Sequence, residues 1–139
     1  MSTITIFKGN MIKSTRYFFQ EEAPMSKLYE DFSDHRRLRV FASKGLKCSN
    51  PECNHVGTRL ILAKDKGGGL HWDIYTDDLI LMNIDHILPK KQGGSNYIKN
   101  LQPMCQPCNS RKGHQIIDNS EISHIVSKKE PVLREAQAA

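Results

Sequence analysis

Asp85-His86-Ile87-Leu88-Pro89 opens a stretch that passes through Gly93-Gly94 and Asn100-Leu101-Gln102-Pro103. It ends in Cys105-Gln106-Pro107-Cys108-Asn109-Ser110-Arg111-Lys112-Gly113. The apolar run Leu79 to Ile84, of the length of a buried strand, delivers the Asp-His pair. Pro89 ends regular pairing, and a polar loop with two glycines follows, Lys90 to Asn96. A second short strand is expected near Asn100-Leu101-Gln102. A helix should then begin around Pro107, because proline is tolerated in a helix's first turn.

Outward from that stretch the chain is punctuated clearly. Arg59 to Ala63 and Leu70 to Tyr75 read as two strands joined by a turn over Gly67-Gly68-Gly69. Leu28, Phe32, Leu38 and Phe41 recur at helical spacing, with Ser26 and Ser33 as caps. That pattern predicts a helix from Asp34 to Ser43, stopped near Gly45, and an earlier one before Ser33. Residues 1–25 hold two strand-like stretches, Ile4 to Phe7 and Arg16 to Phe19, and are set apart as an N-terminal extension ending near Pro24. The main domain is expected over 26–118, with 119–139 as a C-terminal tail.

The chain has 139 residues, with 20 Lys and Arg against 15 Asp and Glu, a net charge of +5 and a pI near 9.1. With 38% apolar residues, low hydrophobicity cannot force it to be disordered. No apolar run approaches the roughly 20 residues of a membrane helix, and the N-terminus lacks the apolar core of a secretory signal. A soluble cytoplasmic protein with no membrane partner is expected. A core in so short a chain calls for a staple.

The four cysteines answer that need. Cys48 and Cys53 form a C-x4-C pair, and after 51 intervening residues Cys105 and Cys108 form a C-x2-C pair. Two close pairs, each at the mouth of a turn, suit one tetrahedral structural Zn²⁺. Two local disulfides or four unconnected thiols are the alternatives, and a reducing compartment disfavours the disulfides.

Taken together, these residues resemble the HNH endonuclease family in its four-cysteine, zinc-containing form. The resemblance covers about Arg37 to Gly113. It implies an α+β fold: a small zinc-stapled ββα-metal domain with an added β-hairpin and flanking helices. It also implies roles by position. His86 matches the general base, and Asp85 matches a ligand of the catalytic metal. Asn100 matches the middle asparagine, which braces the loop and the orientation of the histidine. Asn109 matches the third position, often histidine in the family, which makes this an HNN variant. No family position matches His35, His55, His71, His114 or His124.

Hydrolysis of a phosphodiester requires an activated water and charge relief on the phosphate and leaving oxygen. An ordinary imidazole, with a pKa of about 6.5, can take a proton from water at neutral pH. One carboxylate and one amide oxygen leave most positions on a hard cation to water and phosphate, as Mg²⁺ or Mn²⁺ prefers. Two metals are therefore implied, a structural zinc and a catalytic Mg²⁺ or Mn²⁺.

The positive charge is concentrated. Between His35 and Pro51 lie Arg36, Arg37, Arg39, Lys44 and Lys47 with no acid, and no carboxylate follows Asp85 until Asp118. Lys90, Lys91, Arg111 and Lys112 flank the motif and are expected to contact the DNA backbone. Arg36 to Arg39 read equally well as a solvated helix face. The expected activity is a metal-dependent DNA endonuclease, nicking or weakly specific, that leaves 5′-phosphate and 3′-hydroxyl ends. One site per chain goes with a monomer or weak homodimer, in a bacterial or phage-infected cell. The alternative is a non-catalytic zinc-containing nucleic-acid-binding or phage accessory protein with a degenerate site.

Overall fold

A computed structural model describes residues 4–113 of the chain. It contains one six-stranded antiparallel sheet whose spatial order follows the sequence. The strands are β1 (Met11–Ile12), β2 (Tyr17–Ala23), β3 (Arg59–Lys64), β4 (Leu70–Tyr75), β5 (Leu81–His86) and β6 (Leu101–Cys105). Three helices accompany them: α1 (Lys27–Glu30), α2 (Arg36–Lys44) and α3 (Gln106–Lys112). The C-terminal tail expected at 119–139 lies outside the described residues, as do His114 and His124.

Alternation along the strands builds the core. Ala23, Leu60, Ile74, Met82 and Cys105 are paired in register across β2, β3, β4, β5 and β6. That row carries the apolar layer from the N-terminal strands to the cysteine cluster, and Leu38 and Phe41 of α2 are buried in the same cluster of side chains. Neighbouring residues on the strands point the other way. Ile61 and Tyr75 join Ile12 and Phe19 in a second, smaller core under β1 and β2. Both faces of β3 are therefore covered, and Leu60 and Ile61 are each fully buried.

Residues 11–23 thus supply two strands of the same sheet as the motif. Arg59 clamps this region, donating through Nε and Nη2 to the two carboxylate oxygens of Glu22 and through Nη1 to the Ile4 carbonyl. Ile4 to Phe7 does not form a strand. Instead the Phe7 amide turns onto the side chain of Asn10, and the Phe7 ring stays exposed. The strand expected from Leu79 starts two residues later. Leu79 adopts a left-handed φ of 66° in a turn closed by its own amide on the Thr76 carbonyl.

Helix α2 matches the expected helix closely, but its cap is not Ser33. His35 fills the N-cap position, with Nδ1 accepting from the Leu38 amide at 3.3 Å. Gly45 ends the helix with a φ of 100°, a conformation that a side chain would oppose. Among the described residues, no helix is long and apolar enough to cross a membrane.

Candidate active site and cysteine cluster

Strand β5 carries Asp85 and His86 at its C-terminal end, opposite Gln102 and Leu101 of β6. Alternation turns Asp85 inward, where a carboxylate needs partners to offset lost hydration. It has them. Lys112 of α3 places Nζ 3.1 Å from Oδ1 and 3.0 Å from Oδ2, and Gln102 Nε2 donates to Oδ2 at 2.9 Å. Lys112 also donates to the His86 carbonyl at 3.2 Å. The expected phosphate contact at Lys112 therefore meets an ammonium only 3% exposed, held inside the protein by Asp85.

His86 points outward and stands between two clefts. One, of about 510 Å³, is shared with Asp34, His35, Arg36, Arg37 and Asn96. The other, of about 290 Å³, brings His86 together with Asp85, Asn109, Lys90 and Lys91. Helix α3 starts directly after β6, with Cys105 as its N-cap residue, so Asn109 one turn later reaches the second cleft. Lys90 and Lys91 lie on an exposed 3₁₀ turn, Lys90–Gln92.

Asn100 is 2% exposed and closes the connection between β5 and β6. Its Oδ1 accepts from the Leu88 amide at 2.9 Å, while Nδ2 donates to the carbonyls of Leu88 at 3.1 Å and Ser95 at 2.8 Å. Gly94 completes this turn, because a Cβ there would overlap the Leu88 carbonyl oxygen. Asn100 touches the loop, and the residue that touches the histidine is Asn96, whose Oδ1 lies 2.8 Å from His86 Nε2.

The two arginines of uncertain purpose at the start of α2 are both engaged. Arg36 donates to the Asn96 carbonyl at 2.9 Å. Arg37 pairs with Asp73 at 2.8 Å and also donates to the Trp72 carbonyl. Burial pushes the Asp73 carboxyl above its ordinary range, and the nearby Arg37 charge pulls against that. The His35 imidazole is held below its ordinary value, first by burial and then by the Arg37 charge.

The four cysteine sulfurs lie within 4.8 Å of one another, and all four are free thiols. Cys53 and Cys105, from different pairs, have sulfurs 3.8 Å apart. A tetrahedron with Zn–S bonds of about 2.3 Å requires sulfurs roughly 3.8 Å apart, so the cluster has the size of a thiolate metal site. Its surroundings favour negative sulfur. The Cys105 amide faces Cys48 Sγ, the His55 amide faces Cys53 Sγ, and Asn50 and Arg111 both donate to Cys108 Sγ. Burial pushes the Cys48 and Cys105 thiols up. At Cys108 burial acts the same way, but hydrogen bonds led by Asn50 outweigh it and bring the thiol down. The first pair is tied to β6 by the Ser49 amide on the Pro103 carbonyl, and to itself by Lys47 Nζ on the Cys53 carbonyl.

Arg111, expected on a phosphate, therefore lies 3.2 Å from a cysteine sulfur through Nη2, although the residue as a whole remains exposed. Gln102 and Asn96, which reach Asp85 and His86, are not singled out by the sequence. A lone polar residue in a strand or a glycine-bearing loop has no spacing that separates it from an ordinary surface residue.

No curated protein and no solved structure gave a match to the chain. Residues 72–124, which include Asp85, His86, Asn100, Asn109 and the second cysteine pair but not Cys48 or Cys53, match the family model for HNH endonuclease.

Proposed function

We propose that the protein is a divalent-metal-dependent DNA endonuclease in which His86 is the general base. The observation that carries this reading is the single cleft uniting His86, Asp85 and Asn109 with Lys90 and Lys91, inside the segment that matches the family. The succession β5, β6 and α3 supports a ββα-metal domain stapled by zinc on the four cysteines.

The residues present suit a hard cation. Asp85 and Asn109 offer a carboxylate and an amide oxygen on one cleft. Asp85 Oδ1 takes one hydrogen bond, from Lys112, which leaves it a further lone pair. Asp85 and Asn109 would hold Mg²⁺ or Mn²⁺, which when bound supplies charge relief to the scissile phosphate and the departing 3′-oxygen. His86 takes the proton of the attacking water. Lys90 and Lys91 bind backbone phosphates on the same side, a term that weakens steeply with salt. The products are 5′-phosphate and 3′-hydroxyl ends. One site cuts one strand at a time, so nicked circles precede linear DNA. Phosphate contacts carry no base information, which fits weak sequence preference.

One observation favours the second reading, a non-catalytic nucleic-acid-binding or accessory protein. Both oxygens of Asp85 already accept from Lys112 and Gln102. Supercoiled plasmid incubated with Mg²⁺ or Mn²⁺ decides between the two. Wild type should nick it, and His86→Ala should lose on the order of 10²–10⁴ in rate while still binding DNA. Equal inertness of both proteins, with zinc and DNA retained, establishes the second reading.

A further inference from the structure

The ring of His86 is held from outside its own strand by Asn96, ten residues on, with Oδ1 2.8 Å from Nε2. Asn96 is exposed, and a side chain on an exposed loop ordinarily samples several rotamers. Here its backbone is pinned on both sides. Arg36 Nη2 donates to the carbonyl of Asn96 itself at 2.9 Å, and the buried Asn100 donates to the carbonyl of Ser95 at 2.8 Å. With the carbonyl groups on either side of its Cα fixed, Asn96 has only its own two side-chain torsions left to set.

The chemistry of the contact then fixes the ring. An amide oxygen only accepts, so the nitrogen facing it must carry the proton. A neutral imidazole with its proton on Nε2 has its lone pair on Nδ1. We infer that Asn96 is the positioning residue of His86, holding the ring with Nε2 as donor and leaving Nδ1 as the nitrogen that accepts a proton from water. The inference rests on the reading of His86 as general base. It assigns Asn100 and Arg36 a role at one remove, since both act on the backbone that aims Asn96.

The test uses the full-length, zinc-loaded protein with ¹⁵N-labelled histidine. Long-range ¹H–¹⁵N correlations report which ring nitrogen is protonated, at a pH where the ring is neutral, and His86 is assigned by its disappearance in His86→Gln. Wild type should show one tautomer, protonated on Nε2. Asn96→Ala should show a mixture, and Asn96→Asp, which keeps the acceptor oxygen, should restore the single form. Plasmid nicking should follow the same order. Asn96→Ala should lose about 10-fold or more in kcat with KM unchanged, because it removes part of the general-base contribution and no phosphate contact. Asn96→Asp should recover most of that loss.

The ring measurement needs no turnover, so it separates this inference from the general-base reading. A wild-type ring protonated on Nδ1, or a His86 spectrum unchanged in Asn96→Ala, overturns the inference even if His86 proves essential for nicking. A drop in melting temperature in Asn96→Ala with the tautomer and kcat both unchanged also overturns it, since Asn96 would then be structural only. Nicking by His86→Ala at the wild-type rate overturns the general-base reading itself.

Discussion

Lys112 Nζ lies 3.0 Å from Asp85 Oδ2, in an ion pair whose two side chains are 3% and 6% exposed. A pair so thoroughly withdrawn from water is costly to break from either end, because the remaining charge is left without hydration. Lys112→Met should therefore destabilise the protein by about 3–5 kcal/mol in urea unfolding. Adding Asp85→Leu should recover much of that loss, since the second change removes the stranded carboxylate. A single-variant cost near that of an exposed ion pair, below about 1 kcal/mol, would show that water reaches the pair.

Gly93 and Gly94 adjoin in sequence but respond differently to an added methyl group. At Gly93 a Cβ meets open space, and only the φ of +94° opposes it. Gly93→Ala should cost about 1 kcal/mol. At Gly94 the Cβ would overlap the Leu88 carbonyl oxygen and stand 2.9 Å from Asn100 Nδ2. Gly94→Ala must open the turn that Asn100 closes, and should cost clearly more, with a drop in nicking rate alongside. Equal stability of the two variants in thermal unfolding would contradict the packing of this turn.

The cysteine cluster should hold one zinc per chain by elemental analysis of purified protein. Its four ligands join the loop after α2 to the start of α3, so metal binding contributes directly to folding free energy. A strong chelator should lower the melting temperature and loosen the β6–α3 end first. Cys105→Ser should release the metal, because its sulfur sits both in the cluster and in the five-strand apolar row. A protein that unfolds at the same temperature with and without bound zinc would show that the sheet suffices alone.

The parts of the fold that could be read from sequence are those with periodicity or fixed spacing. Leu70 to Tyr75 and the glycine turn before it emerge as expected, and the cysteine pairs converge across 51 intervening residues. Asp85 and His86 are legible because an apolar run leads into them at the end of a strand. Lys112 and Arg111 are harder to read. A cation looks the same in sequence whether it meets a phosphate, a buried carboxylate or a sulfur, and only the helical turn from Cys108 to Lys112 separates the three. β1 escapes notice for a simpler reason: two residues, Met11 and Ile12, carry no period. Ser33 looks like a better helix cap than His35, yet it is the His35 ring that accepts from the Leu38 amide.

That imidazole makes stability depend on pH. His35 Nδ1 accepts from the Leu38 amide only when it is unprotonated, and a positive ring at a helix N-terminus opposes the helix dipole. Its pKa in the folded protein lies below its ordinary value of 6.5, with burial as the leading cause and the Arg37 charge second. Between the folded and unfolded values, the unfolded chain binds more protons, so stability falls as pH drops. The contribution is complete above about pH 6.5 and is lost progressively below it. Replacement by an uncharged cap, His35→Asn, keeps the hydrogen-bond acceptor and removes the titrating group. Urea midpoints measured at pH 8 and pH 5 should fall further in wild type than in His35→Asn. An identical fall in the two proteins would assign the acid sensitivity to groups other than His35.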